Sequence, residues 1–267
     1  RNCGDEGLNY SEVDMSHNGG LGNINSNKNI LLIPSTCEKV TAIKHQNGSD
    51  FWIISRVENS NSYHSYLLSS TGLNTTPVIT NIGPIYSNSG GYLKGSHDGT
   101  QVVAANHFVI GDIELYDFDN ANGTLSNMIS INLGNTVDAN YGVEFSPNNE
   151  VLYISDGNSL FQLDLTAGSQ NLIENSVLNL ASGWYYSLEL APDGKIYIAI
   201  HQHDYLAVIN DPNILGLGCN FTGNGVNLAN GTQSYLGLPT FFSSNSSGCD
   251  SVATAIITIN TPTTSTT

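Results

Sequence analysis

Residues 141–171 read YGVEFSPNNEVLYISDGNSLFQLDLTAGSQN, and this stretch decides the fold because its plan recurs before and after it. Apolar side chains alternate with small or polar ones from Tyr141 to Phe145, and a β-branched and aromatic run extends from Val151 to Ile154. Pro147-Asn148-Asn149 and Asp156-Gly157-Asn158 follow these runs as turn signals. The pattern predicts a meander of short strands rather than a helical unit.

Two sets of turn residues repeat along the chain in step with each other. The first-turn signals are Asn47-Gly48, Asp98-Gly99, Asn148-Asn149 and Asp193-Gly194, which are 51, 50 and 45 residues apart. The second-turn glycines are Gly20, Gly72, Gly123 and Gly168, which are 52, 51 and 45 residues apart. A period of this length with about four strands in each unit is typical of propeller blades, which stack around an axis because each blade has two faces to bury. We therefore predict an all-β protein, a β-propeller of four-stranded blades, with about five blade-equivalents in this chain.

The strand patterns also predict where the domain ends. Residues 8–33 supply only the outer half of a blade, and YLGLPTFF at 235–242 indicates one more inner strand near the end. Four whole units lie between them, at 39–82, 91–133, 141–180 and 184–229. After Phe242 the composition changes to a Ser-rich linker, one alternating strand and a Thr-rich tail. We predict a propeller over residues 1–242, which starts mid-blade, and a linker with the start of a following repeat module over residues 243–267.

The charge balance limits the partners. Seven Lys and Arg against 23 Asp and Glu give a net charge of −16, which repels phosphate backbones, so we predict no nucleic-acid partner. No stretch approaches the roughly 18 apolar residues that a membrane helix needs, so direct membrane insertion is not expected. No signal peptide is visible at the start of the sequence. The abundance of Asn, Gly and Ser, with four Cys, suits a secreted protein.

Four cysteines allow three pairings, and the predicted strand order favours one of them. In a propeller, the loops between the second and third strands share one rim with the loops that join consecutive blades. Cys3 and Cys37 fall on that rim, whereas Cys219 and Cys249 fall on the opposite one. We predict the disulfides Cys3–Cys37 and Cys219–Cys249, with free buried thiols as the alternative.

Three motifs contain residue types of metal or catalytic sites, and each has a simpler structural interpretation. His201-Gln202-His203-Asp204 would place both imidazoles on the same side of an extended segment, but a zinc site needs three or four ligands. Ser96-His97-Asp98 is contiguous, whereas the residues of a catalytic triad converge from separate places. Residues 117–123 lack the first carboxylate of a calcium loop, and their Asn-Gly favours a hairpin turn. We predict no catalytic residue, no metal site and no cofactor.

The rim that carries the blade-joining loops is where propellers usually present ligands, because loops tolerate variation that strands do not. The candidate residues on this rim are Arg56, Glu58, Tyr86, His107, Asp112, Tyr141, Asp156, Trp184, Tyr185, His201, His203, Asp204 and Tyr235. Flat aromatic faces beside carboxylates and amides suit a sugar or a peptide. The alternative is that Tyr141, Trp184 and Tyr235 only cap the apolar channel, since each opens an inner strand.

Several stretches, in the same order, resemble the WD40-like propeller region of large secreted and cell-surface proteins of Bacteroidota. They are GLNYSEVDMSHNGGLGNI at 7–24, GYLKGSHDGTQVVAANH at 91–107, GVEFSPNNEVLYIS at 142–155, LELAPDGKIYIAI at 188–200 and LGLPTFF at 236–242. The resemblance implies seven blades in the intact protein, type IX secretion and flanking repeat modules in the same polypeptide, and it brings no catalytic residues. Asp250-Ser251-Val252 resembles the O-glycosylation acceptor of these bacteria, which makes Ser251 a glycosylation candidate.

These observations favour a secreted, non-catalytic binding or display module of an adhesin-like surface protein, which recognises a glycan or another protein through one rim. One alternative is a carbohydrate-active or lactonase-type propeller enzyme, although no nucleophile elbow or paired-carboxylate motif is visible. The other is a structural spacer without a ligand of its own.

Overall fold

The computed structural model describes residues 3–4, 7–87, 90–107, 113–134 and 140–240, with only the backbone described for Cys3 and Gly4. This part of the chain is nearly all β-structure, and four small antiparallel sheets are arranged as a four-bladed β-propeller. The predicted fold class is thus confirmed. Two additional two-stranded sheets occupy the N-terminal region, where the sequence predicts half a blade.

The strands of the N-terminal region and the first blade lie within residues 3–81. The N-terminal strands are β1 (Cys3–Gly4), β2 (Leu8–Tyr10), β3 (Val13–Asp14), β4 (Asn23–Ile24) and β5 (Ile30–Ile33). The strands of the first blade are β6 (Thr36–Lys44), β7 (Phe51–Val57), β8 (Ser62–Ser69), β9 (Gly72–Leu73) and β10 (Val78–Asn81). β2 pairs with β5 and β3 with β4, while β1 joins the first blade beside β6.

Each of the next three blades has four strands in sequence order. The second blade consists of β11 (Leu93–Gly95), β12 (Gln101–Ala104), β13 (Ile113–Asp119) and β14 (Thr124–Ile131). The third consists of β15 (Gly142–Phe145), β16 (Val151–Ser155), β17 (Ser159–Asp164) and β18 (Leu178–Ser182). The fourth consists of β19 (Tyr185–Leu190), β20 (Ile196–Ile200), β21 (Tyr205–Ile209) and β22 (Phe221–Asn227).

Helical segments are few and short. Among the described residues they are α1 (Gln170–Asn175) and 3-10 turns at Asn18–Gly20, Leu165–Ala167 and Gly216–Cys219. None of the helices in this part of the chain has the length and hydropathy that a membrane crossing requires.

The first hairpin of every blade closes at the same turn, in which one residue has a positive φ. These residues are Gly48 (77°), Gly99 (73°), Asn149 (62°) and Gly194 (79°). Glycine adopts left-handed backbone freely, and asparagine does so more readily than most other residues. The turns connect the first two strands of each sheet, so the corners that the sequence repeat identifies are structurally equivalent.

Apolar side chains fill the spaces between neighbouring blades. Strand β16 illustrates the arrangement, because Leu152 and Ile154 pack towards the second blade while Val151 and Tyr153 pack towards the fourth. All five residues of β16 are buried. Full burial of such a side chain contributes roughly 1.5–3 kcal/mol, so the blade relies on both neighbours for its stability.

The N-terminal strands pack on the first blade. Leu8 pairs with Ile33 in the register of β2 and β5, and both side chains contact the cluster around Tyr66 of β8. This is the strand pair that the sequence predicts for the outer half of a blade. Residues 243–267, the predicted linker and following module, lie outside the described residues, as does Ser251.

Two segments depart from the all-strand pattern that the repeat predicts. Residues 170–175 form α1, because Ile173 is buried between the second and third blades and anchors a helical turn there. Residues 235–240 of the predicted inner strand YLGLPTFF contain no strand, and the segment is tied down instead by a hydrogen bond from Ser187 N to the Leu236 carbonyl oxygen at 3.2 Å. Pro239 lacks an N–H and cannot donate to a β-ladder, which explains why a regular strand does not form.

The cysteines depart from the predicted pairing in one case. Cys219 is a fully buried free thiol within the apolar cluster between the third and fourth blades, beside Tyr153. The structure therefore does not contain the predicted Cys219–Cys249 disulfide, because Cys219 belongs to the core rather than to a rim; Cys249 lies outside the described residues. Cys37 lies opposite Cys3 in the register of β1 and β6. The Cys3–Cys37 disulfide stays a prediction.

Candidate ligand-binding rim

A group of aromatic rings lies on the rim that carries the blade-joining loops. The ring centroid of Tyr141 lies 5.5 Å from that of Tyr92, 5.3 Å from that of His107 and 5.6 Å from that of Tyr186. All three contacts are edge-to-face, a geometry that aromatic pairs prefer. Burial raises the pKa of Tyr141, and the negative charge of the nearby Glu38 carboxylate raises it further, so the Tyr141 hydroxyl stays neutral.

The group continues to the surface over the fourth blade. The His201 ring lies 5.8 Å from Tyr186, 6.1 Å from Trp184 and 5.5 Å from Tyr235. Tyr141 is only 8% exposed, whereas Trp184 is 55% exposed and Tyr235 is 53% exposed. We call the following set the aromatic rim: Tyr92, His107, Tyr141, Trp184, Tyr186, His201 and Tyr235. It has a buried end at the second and third blades and an exposed end at the fourth.

The two histidines of the 201–204 motif have different environments. Gln202 has a φ of 59°, so the segment turns sharply, and the extended arrangement that would place both imidazoles on the same side does not form. His201 joins the aromatic rim, whereas the His203 ring lies 5.0 Å from that of Tyr205 and its Nδ1 lies 2.8 Å from the His201 carbonyl oxygen. In the described part of the chain, no three His, Cys, Asp or Glu side chains could together hold a metal ion.

A cavity of about 500 Å³ lies next to Trp184, between the third and fourth blades. Its lining comes from the end of β18, the start of β19, the connection between β20 and β21, and β22. The residues that bear on its chemistry are Ser182, Trp184, His203, Tyr205, Gly223 and Asn224. Trp184, Tyr185 and His203 were among the predicted rim residues.

Two buried polar atoms at this end of the rim have no hydrogen-bond partner among the described residues. They are His201 Nδ1 and Ser234 Oγ. Ser234 pairs with His203 through its backbone. An unsatisfied buried polar group costs about 1–3 kcal/mol and is usually met by water or a ligand. Both atoms are buried, and neither residue is among those that line the cavity.

Arg56, predicted to be on this rim, is instead buried between the first and second blades. It is only 4% exposed, and its Nη1 lies 3.0 Å from Glu114 Oε2 and 3.3 Å from Tyr63 Oη. Its guanidinium also lies 5.1 Å from the ring of Tyr86. The ion pair with Glu114 draws the side chain inwards, so Arg56 is not available to a surface ligand.

Other predicted rim residues serve the turns or the core. The Asp156 carboxylate is buried and accepts hydrogen bonds from the backbone N–H of Asn158 and of Ser159, at 2.9 Å and 2.6 Å. Tyr185 is buried edge-to-face against Phe221, with one side towards the cavity.

The remaining predicted rim residues are acidic. The Glu58 carboxylate accepts a hydrogen bond from Ser35 Oγ at 2.6 Å. Asp204 is exposed, and Asp112 lies outside the described residues.

Sequence reasoning missed a buried ionic cluster on the inner strands. Lys94 Nζ lies 2.9 Å from Glu144 Oε2 and 2.6 Å from Glu189 Oε2. Burial opposes the charge of the ammonium, but the two carboxylates outweigh it and raise the pKa of Lys94. The repeat contains a signal that could have revealed this cluster. Lys94, Glu144 and Glu189 occupy the same position in three consecutive units, two residues before the turns that begin at Ser96, Ser146 and Ala191.

A second buried amine lies close to the rim. Lys39 Nζ donates to the carbonyl oxygen of Gly90 at 2.5 Å and lies 3.4 Å from that of Gly91. Burial, assisted by the positive charge of Arg56, lowers the pKa of Lys39 to about 7. Lys39 therefore changes its charge near neutral pH, inside the protein.

Comparison with known proteins identifies the fold. No family model matches the sequence, and no curated protein matches it. The structure is similar to the crystal structure of a protein from Lactobacillus plantarum, with 12% identity and a TM-score of 0.50, over 85% of this chain and 65% of that one.

Two further similarities are weaker. A candidate 6-phosphogluconolactonase from Bacteroides uniformis shares 14% identity over 71% of this chain and 54% of its own, with a TM-score of 0.48. Virginiamycin B lyase from Staphylococcus aureus shares 14% identity over 65% of this chain and 52% of its own, with a TM-score of 0.41. The chain thus spans between about half and two thirds of the length of each of these proteins. At 12% identity, the similarity to the Lactobacillus plantarum protein shows the fold alone.

Proposed function

We propose that the protein is a non-catalytic binding or display module that recognises an extracellular ligand, a glycan or another protein, through the exposed end of the aromatic rim. The observation that carries this proposal is the half-exposed Trp184 beside a cavity of about 500 Å³. Concave sites with a few polar groups among aromatic side chains are the usual form of ligand sites. Aromatic rings give a large contact area at a low cost in conformational entropy.

The placement of the buried charges also supports binding rather than catalysis. Arg56 is paired with Glu114, and Lys94 is shared by Glu144 and Glu189. Neutralised in this way between the blades, these side chains stabilise the arrangement of the sheets and do not face the cavity beside Trp184.

The biological setting is part of the same proposal. We propose that the chain belongs to a secreted or surface-anchored, adhesin-like protein of Bacteroidota that uses type IX secretion. The sequence resemblance, the net charge of −16 and the scarcity of Lys and Arg support this assignment. Repeat modules of the same polypeptide would then be its structural partners. Immunodetection in fractions of the native cells tests this setting, and a purely cytoplasmic pool would contradict it.

Binding through the rim is tested with a glycan array and with pull-down from the surface fraction of cells. Trp184→Ala should abolish the signal, because it removes the main exposed ring of the rim. The matched control is Ile79→Ala on β10, whose side chain is 54% exposed but lies on the outer edge of the first blade. If both variants bind as the parent does, the rim is not the site; if the parent binds nothing, the spacer alternative is favoured.

One observation favours the enzyme alternative. The carboxylates of Glu144 and Glu189 converge on one ammonium, and Glu189 also lines a separate cavity of about 310 Å³ with Tyr197 and Leu206. A lactonase or glycosidase would need such a pair to be accessible. The test is to measure hydrolysis of a panel of lactones and glycosides by the parent and by Glu189→Gln. If the parent hydrolyses one of them and the variant retains the fold but loses the activity, the enzyme alternative replaces the binding function.

A further inference from the structure

We infer that the cavity beside Trp184 is a subsite for one neutral pyranose ring, an inference that rests on the proposed binding function and names its ligand class. The cavity holds about 500 Å³ and is bounded on one side by an indole that is more than half exposed. A pyranose has one face of C–H groups and a periphery of hydroxyls. It therefore matches a site that combines an aromatic face with several small polar groups.

The charge of the lining argues for a neutral ligand. Among the described residues, the side chains that line the cavity include no Asp, Glu, Lys or Arg. An anionic ligand such as a uronate, a phosphate or a sialic acid would lose water without gaining a cationic partner, and a cationic ligand would find no carboxylate there. The net charge of −16 further disfavours anions near the protein.

The polar groups of the lining suit hydroxyls, which both donate and accept. Ser182 and Tyr205 contribute hydroxyl groups, and Asn224 contributes an amide. The His203 ring is fixed in place because its Nδ1 donates to the His201 carbonyl oxygen at 2.8 Å. In the neutral ring, this bond leaves Nε2 as an acceptor for a ligand hydroxyl.

A glycine keeps the cavity open. Gly223 lies on β22 with ordinary backbone angles, and a Cβ built there would meet only the Phe221 ring, at 4.0 Å. A larger residue can therefore be introduced without backbone strain, and its side chain would occupy space that the ligand needs. Gly223→Leu is thus a blocking variant that does not alter the aromatic face of Trp184.

The test is titration of the whole chain with methyl pyranosides of glucose, galactose, mannose and N-acetylglucosamine, and with glucuronate, followed by saturation-transfer NMR and calorimetry. At least one neutral pyranoside should bind, with glucuronate at least about tenfold weaker. Trp184→Ala and Gly223→Leu should each lower the affinity by about tenfold or more, because they remove the stacking surface and fill the cavity. The control Val226→Leu, on the same strand but outside the lining, should leave the affinity unchanged.

The outcomes separate this inference from the function on which it rests. If a protein ligand is captured in a manner that depends on Trp184 while no pyranoside binds, the rim function stands and the pyranose subsite is refuted. Tighter binding of glucuronate than of neutral sugars would overturn the assignment of a neutral ligand. If neither sugars nor proteins bind, both proposals fail. Far-UV circular dichroism and thermal unfolding of each variant show whether a lost signal reflects the site or a lost fold.

Discussion

Tyr141 and Trp184 both open an inner strand on the same rim, yet one is buried and the other is exposed. Tyr141 lies between two blades whose inner strands are joined directly, because the Tyr92 N–H donates to the Tyr141 carbonyl oxygen at 2.9 Å. Trp184 opens the fourth blade, where the next segment of chain, residues 235–240, crosses without forming a strand. The aromatic residue contributes to the core in the first case and is available to a ligand in the second.

The comparison shows that position in the repeat does not by itself determine the role of a rim residue. What matters is whether a neighbouring inner strand covers it. The second and third blades are covered on both sides, and the polar and aromatic residues there form contacts with one another. The fourth blade is covered on one side by regular packing and on the other by an irregular segment, so part of its rim is accessible.

The largest effect is expected for Lys94→Met, which breaks the ionic cluster that the inner strands of the second, third and fourth blades share. Two buried carboxylates, of Glu144 and Glu189, would lose their shared cation, and breaking a buried ion pair costs about 3–5 kcal/mol. Urea unfolding measures the loss of stability. The control is Lys44→Met at the exposed end of β6, which should change stability by less than about 0.5 kcal/mol. Equal effects of the two substitutions would show that the cluster contributes nothing.

The next prediction concerns the two rim residues themselves. Tyr141→Ala should lower the free energy of unfolding by about 3 kcal/mol, because it removes a buried ring from contact with Tyr92, His107 and Tyr186. Trp184→Ala should lower it by less than about 1 kcal/mol, since much of the indole already contacts water. Thermal and urea unfolding of both variants measure the difference. A loss for Trp184→Ala as large as that for Tyr141→Ala would mean that the fourth-blade rim is a structural cap.

The fold could be predicted because its signals are local and repeated. Turn residues such as Asp98-Gly99 and Asn148-Asn149 form a turn through their own backbone preferences. Their spacing therefore reveals the repeat without any knowledge of tertiary contacts. The helix α1 was missed for the opposite reason. Ile173 is buried because the second and third blades pack against it, and the local sequence pattern of residues 170–175 does not predict that contact.

The candidate site could be predicted only in part. Trp184 and His203 were identified because loop positions on a propeller determine which rim they reach. Gly223 and Asn224 were not, since they lie on the outermost strand of the fourth blade, and the analysis of the repeat assigned only loops and inner-strand ends to the rim. Arg56 was placed on the surface because a strand end can point outwards or inwards, and the choice is made by Glu114 on a different blade.

A pH-dependent effect is expected at Lys39, which is buried in the first blade. The pKa of Lys39 is lowered from 10.5 to about 7 in the folded state, so between these values the unfolded state binds more protons than the folded state. The contribution of Lys39 to stability therefore rises with pH from about 7 to 10.5. Urea unfolding of the parent and of Lys39→Met across this range should show the parent gaining stability relative to the variant. Parallel curves would mean that Lys39 titrates normally in the folded protein.

The smallest effect extends the comparison to the opposite rim. Gly99 and Gly194 occupy the same turn position with φ of 73° and 79°, so replacement by alanine imposes the same backbone cost of about 1 kcal/mol. A Cβ at Gly194 would meet nothing within 4 Å, whereas one at Gly99 would lie 3.0 Å from Asn120 Nδ2 and 3.1 Å from Ile43 Cγ2. Gly194→Ala should therefore destabilise the protein by about 1 kcal/mol and Gly99→Ala by about 2 kcal/mol, because only the covered turn adds a steric cost. Urea unfolding of the two variants checks this, and a loss for Gly194→Ala as large as that for Gly99→Ala would show that a neighbour covers the turn of the fourth blade as closely as that of the second.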